Sequence, residues 1–321
     1  MASKTNPEKI SKVIQKYILE YATKKRYRYE TIYTMKPDDV RQVCDFADYK
    51  KAKIFLCFYN FSAEDYDKMD LDDIHHFVQA DLQFPHDKIS VTENGMEFGV
   101  NVCVPARDGV VDKALLNEVL SHELMHAYRT YNEYMDGHIS HISPSKRRKI
   151  DSKKDKKFTY TQKVDRYNNL IWGIRDDGNI RDNFYWIGYS LTVDEINATL
   201  AGVDAFLFEH DGDYTKLPQC RSIDMIKTMR GFIDEVQKFA TDEDWEYCRE
   251  NALYIHENKN ESLGRFKSRY IAYYTKQINH FEEKVKKLLD KYKMKKAQQK
   301  IQKQKNKNNP VYKAFLTNSI A

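Results

Sequence analysis

The chain has 321 residues, of which 41% are hydrophobic and 31% charged, with a formal net charge of +5. That is long enough to bury a sizeable core in one large domain, or in one domain with an appendage. Its five cysteines, Cys44, Cys57, Cys103, Cys220 and Cys248, are odd in number, widely spaced and without a C-x-x-C, which argues against a disulfide framework or a structural zinc knuckle. The opening Met-Ala-Ser-Lys-Thr-Asn-Pro carries no apolar signal region, and no stretch of 18 apolar residues occurs, so a cytoplasmic setting without a membrane span is expected.

In chain order, the periodicity predicts a helix over 7–24, a strand over 54–61 and a short helix over 72–82. Residues 88–91 and 98–104 flank Glu93-Asn94-Gly95, and Phe98, Val100, Val102 and Val104 alternate with Gly99, Asn101 and Cys103, which predicts a β-hairpin. Pro105 ends its second strand and Asp108-Gly109 turns the chain. Asp112 then caps a helix over 113–134 that contains no glycine or proline and carries Leu115, Leu116, Val119, Leu120, Leu124 and Ala127 at helical spacing. Thr192 caps another, running to about Phe208 with Ile196, Leu200, Val203 and Leu207 as its core stripe. Residues 218–240 and 242–256 follow as amphipathic helices, and from about Ser262 the pattern is one long helix with a lysine-rich end.

The chemistry lies in Ser121-His122-Glu123-Leu124-Met125-His126, an H-E-x-x-H on the 113–134 helix. Histidines at i and i+4 share a helical face, so two imidazole nitrogens can reach one zinc ion, and the intervening glutamate can serve as general base. Catalytic zinc generally takes a third protein ligand. A metzincin continuation is absent, since Arg129 and Asn132 occupy the glycine and histidine positions. A glutamate from a later helix is the alternative, and Glu195 is the best match. It shares a face with Ala198, Gly202 and Ala205, whose small side chains let that helix approach a neighbour. A structural reading competes, because Thr192-x-x-Glu195 is also a capping box in which the glutamate reaches back to its own helix start. Asp176, Asp177, Asp182, Asp194 and Glu209 are further acidic candidates, and His75, His76, His138 and His141 read as surface residues.

H-E-x-x-H followed by E-x-x-A on a second helix resembles the gluzincin branch of the zincin metallopeptidases. The resemblance covers about residues 88–208. It implies His122, His126 and Glu195 as zinc ligands and Glu123 as the base. A strand unit followed by the motif helix is also the zincin order. The implied fold is α+β: a small mixed sheet packed on the motif helix in a catalytic domain of residues 1–215, with a mainly helical region over 216–321. Some gluzincins place an aspartate four residues after the ligand glutamate, where Thr199 stands here. Tyr189 and His210 are candidates for stabilising the oxyanion, roles that tyrosine and histidine fill in the family. The implied reaction is hydrolysis of a peptide bond, in which zinc acidifies a water to a pKa of about 7 and Glu123 takes the proton and returns it to the leaving amine. An extended peptide or protein substrate is expected to pair with the edge of the 99–104 strand.

Charge is unevenly distributed. Residues 284–307 contain eleven lysines and one acid, and residues 146–157 contain eight basic and two acidic residues. Such runs are commonly solvated faces, with contact to nucleic acid or an anionic surface as the functional alternative. The reading in a different class is therefore a zincin-fold structural or interaction protein, such as an assembly or virion component, that docks through its basic tail. The abundance of Lys, Asn, Tyr and Ile points to an AT-rich genome, of phage or bacterium.

Overall fold

A computed structural model describes residues 6–24, 29–85, 89–135, 180–251 and 261–308. The expected 146–157 basic run, together with His138, His141, Asp176 and Asp177, lies outside the described residues.

The first half is a sheet with helices on one face. Helix α1 (Pro7–Lys24) begins where the Asn6 side chain accepts from the backbone N–H groups of Glu8 and Lys9, and it buries Ile10, Val13, Ile14, Tyr17 and Tyr21 at three- and four-residue spacing. The chain continues through β1 (Glu30–Thr34), α2 (Pro37–Val43), β2 (Lys53–Phe61), the short α3 (Ala63–Tyr66) and α4 (Leu71–His76), and β3 (Gln79–Gln83). After β4 (Ser90–Thr92), β5 (Gly95–Glu97), β6 (Gly99–Arg107) and β7 (Val110–Val111), it enters α5 (Lys113–Met135), which carries the histidine motif. The main sheet is ordered β1-β2-β6-β3, with β7 extending the end of β6. Strands β2 and β6 are parallel, while β1–β2 and β3–β6 are antiparallel, so the sheet is mixed. Ile54, Leu56 and Phe58 alternate inward with Val100, Val102 and Val104, each at 0% exposure, and burial of each such side chain contributes roughly 1.5–3 kcal/mol.

Three expectations are corrected here. The hairpin exists but is short: β4 pairs only with β5, and 99–107 leaves it to join the main sheet. Gly95 explains why. At φ +123° its Cα lies so close to the backbone of Phe46 and Ala47 that an added Cβ would sit 2.6 Å from it, and Met96 exchanges backbone hydrogen bonds with Phe46 and Asp48. The hairpin is thereby pinned to the 46–48 segment, and the strand after it is free to pair elsewhere. Second, the predicted 72–82 helix stops at His76 and residues 79–83 form β3, because pairing with β6 overrides a weak helical pattern. Third, β6 lies between β2 and β3, so its 99–104 stretch presents no free edge to a substrate.

The second half is helical: α6 (Ile180–Ser190), α7 (Val193–Glu209), a 3-10 turn over Tyr214–Gln219, α8 (Arg221–Phe239), α9 (Asp242–Asn251) and α10 (Leu263–Asn308). Its core is aromatic, with Phe184, Trp245, Phe266, Tyr270, Tyr274 and Phe281 buried together. This cluster takes in side chains of α6 and α7 as well as of the later helices. No described helix is long and apolar enough to cross a membrane.

Candidate metal centre

Helix α5 is fixed at its start by Asp112, whose Oδ1 accepts from the N–H groups of Ala114 (2.8 Å) and Leu115 (3.1 Å). Leu115, Leu116, Val119, Leu120, Leu124 and Ala127 then sink into the sheet core. This leaves His122 and His126 on the side that meets α7. That helix approaches through Ala198 and Ala201, which pack against Met125 and Tyr128. Gly202 permits the approach one turn further on: a Cβ there would lie 2.6 Å from Ser222 Oγ and 3.2 Å from Glu118 Cγ.

The start of α7 decides between the two readings of Glu195. Thr192 Oγ1 accepts from the Glu195 N–H at 3.2 Å, so the cap forms, but the glutamate side chain does not return to it. Instead Glu195 Oε2 lies 3.4 Å from His122 Nε2, Oε1 lies 3.4 Å from His126 Nε2, and the two Nε2 atoms are 3.1 Å apart. The ligand atoms of these three residues fall within 4.8 Å of one another, a group able to hold a metal ion. Glu195 and His126 are buried, and His122 is largely so.

Electrostatics follow from that burial. Burial works against the charged form of Glu195, but the opposing charge of His126 and hydrogen bonds from both histidines hold its carboxyl well below the usual range. Burial also works against charge on His126, and the facing Glu195 outweighs it, raising that imidazole to about 8. Glu123, 8% exposed, is pushed above the usual carboxylate range by burial, with the two histidines opposing. Tyr189, near the end of α6, hydrogen-bonds Glu195, and the negative charge of that carboxylate, with burial, keeps its phenol protonated well above the ordinary value.

Of the sequence-predicted residues, the structure thus brings together His122, His126, Glu195, Glu123 and Tyr189. It does not bring in His210, which ends α7 against the Phe206 ring. Fifteen residues of helix separate it from Glu195, about 22 Å along the axis. Asp182 is on the first turn of α6, and Glu209 faces Asn117 and Lys113.

The surroundings add roles that the sequence reading did not assign, and one residue, Glu118, that it did not single out. Asp194, 2% exposed, is ion-paired with Arg129, one turn beyond His126, and its charge also favours the protonated form of His126. Glu118, one turn before His122 and 1% exposed, accepts from the Ser222 N–H at 2.6 Å and so caps the start of α8. A carboxylate four residues before His122 and a guanidinium seven after it, on the face of the two histidines, were the available signal. Thr199 is fully buried, and its hydroxyl has no hydrogen-bond partner among the described residues. Comparison with family models, with curated proteins and with solved structures finds no match to this chain.

Proposed function

We propose that the chain is a zinc-dependent hydrolase of peptide bonds, a zincin of the gluzincin type in which His122, His126 and Glu195 hold the ion and Glu123 is the base. The orientation of Glu195 carries this reading: a capped helix start leaves its carboxylate turned to both imidazoles. The donor set supports zinc. Two imidazoles and one carboxylate match a hydrolytic site, and separations of 3.1–3.4 Å compare with about 3.3–3.4 Å between tetrahedral ligands bonded at ~2.0–2.1 Å.

Zinc held there supplies Lewis acidity, acidifying a water and polarising a carbonyl. The chain's own residues do the remainder. Glu123 is buried beside the two histidines with a raised proton affinity, suited to taking a proton and handing it to a leaving amine. The Tyr189 hydroxyl stays protonated and can donate to an oxygen on which negative charge develops. Tyr185 stacks on Tyr189, and Trp186, 41% exposed, offers an apolar shoulder for a substrate side chain. Among the described residues the outer strands of the main sheet are β1 and β3. Since β3 borders α5, its edge is the one suited to pairing with an extended peptide.

The test is metal content with activity. Purified protein is expected to carry about one zinc, and Glu123→Gln to keep it while peptide hydrolysis falls by ~10²–10⁴-fold. Metal-free protein with no chelator-sensitive hydrolysis overturns the reading. One observation favours a second role for the tail. Tyr292 is the last buried residue among the described side chains of α10, yet the helix continues to Asn308 with Lys293, Lys295 and Lys296 exposed, a basic arm suited to docking on an anionic surface or nucleic acid.

A further inference from the structure

The face of the sheet turned away from the helices carries two thiols side by side. In the parallel pairing of β2 with β6, Cys57 stands directly opposite Cys103, and the alternation of both strands puts the two side chains on the same outer face. Both are free cysteines. Their surroundings differ. Cys57 is 4% exposed, with its sulfur 3.5 Å from Glu30 Oε1, whereas Cys103 is partly open to solvent. Cys103 is drawn down to about 7 by its interaction with the Cys57 thiol, with burial opposing and the Tyr59 hydroxyl adding a second hydrogen bond. Cys57 is correspondingly held protonated, through Cys103 and by burial. Glu30 and Asp81 oppose charge on Cys103 without reversing it. The pair thus combines an accessible, ionisable sulfur with a buried, protonated neighbour.

We infer that Cys57 and Cys103 form a dithiol that a hydroperoxide converts reversibly to a disulfide. The Cys103 thiolate attacks the O–O bond: a sulfur–oxygen bond forms, the O–O bond breaks, and the alcohol or water leaves with a proton. Cys57 sulfur then attacks Cys103 sulfur, its proton goes to the departing oxygen, and water is released. Two thiols are oxidised by two electrons, and the hydroperoxide is reduced by two. Neighbouring strands lie about 4.8 Å apart, inside the Cα separation of about 4.4–6.8 Å that disulfides span. Cys103 is partly open to solvent, and exposed disulfides are among the readily reduced ones. The other three thiols make the reaction selective. Cys44, Cys220 and Cys248 are each no more than 1% exposed, and burial drives their thiols upward.

The test uses the full chain, reduced and then treated with equimolar hydrogen peroxide. Two of the five thiols should become inaccessible to an alkylating reagent under denaturing conditions, with loss of the mass of two hydrogens and a single cross-linked peptide joining residues 57 and 103. Dithiothreitol should restore both. Cys57→Ser should stop at a sulfenic acid on Cys103 that a 1,3-dione traps, and Cys103→Ser should block the fast reaction. Five alkylatable thiols after treatment, a cross-link through Cys44, Cys220 or Cys248, or wild-type oxidation kinetics in Cys103→Ser overturns the inference. The first two are read on the unaltered chain, whatever the variants do to folding.

Discussion

The sheet half and the helical half of this molecule are held together by different chemistry. In the first, β-branched and aliphatic side chains of β2 and β6 interlock in register under α1 and α5. In the second, large rings pack edge to face, with Trp245 within 5.4 Å of both Phe184 and Tyr270. Where they meet, Ala198 and Ala201 pack on Met125 and Tyr128, and polar and charged groups add further ties. Glu118 caps α8, Asn117 and Lys113 bind Glu209 at 2.6 and 3.2 Å, and His75 faces Asp224 at 3.5 Å. The candidate ligands straddle that boundary, two histidines from one half and a glutamate from the other. The candidate metal centre draws on both halves.

The largest effect that would sharpen this contrast is on metal binding. Removing the helical half's contribution with Glu195→Gln should weaken zinc affinity by more than ~10²-fold, beyond what loss of an outer-shell partner costs. Calorimetry on the apo-protein measures it, and unchanged affinity would mean that the sheet half binds metal alone. Next, Tyr189→Phe should leave metal content intact and lower kcat by ~10²–10³-fold, as expected for loss of one donor to a developing oxyanion. A KM change at constant kcat would instead give Tyr189 a binding role. Gly202→Ala targets the boundary itself. Its added carbon meets Ser222 and Glu118, so overpacking should destabilise the fold by ~1–3 kcal/mol in denaturant titration. A neutral result would show that the two helices can part without cost.

The smallest effect is on pH. In the metal-free protein His126 is raised to about 8, and it must shed its proton to ligate. Zinc affinity should therefore rise at least ~tenfold from pH 6 to 7 and lose this contribution to the slope above 8. Proton release measured in buffers of different ionisation enthalpy reads it directly. A flat profile across that window would separate His126 from the site.

What the sequence revealed divides along the same line. Helix α5 was legible almost to the residue, because Asp112, an unbroken apolar period and the i, i+4 histidines are all local signals. Glu195 was legible only as one of two alternatives, since Thr192-x-x-Glu195 satisfies a cap and a ligand equally well. Which one wins depends on a neighbour far off in sequence. The fate of 99–107 was misread because alternation predicts a strand but not its partner. The close approach of Gly95 to Ala47, which sends that strand to β2, has no sequence signature beyond a glycine in a turn. His210 failed as a site residue for the plainest reason: it stands at the wrong end of a helix whose length was already predictable.

Glu195 lies 69 residues beyond His126, and this separation also has a meaning in time. A ribosome adding about 5–20 residues per second completes the histidine pair some ~3–14 s before it makes the glutamate. Through that interval the chain has the two histidines without Glu195, so on the proposed reading the full ligand set exists only once α7 has been made and docked.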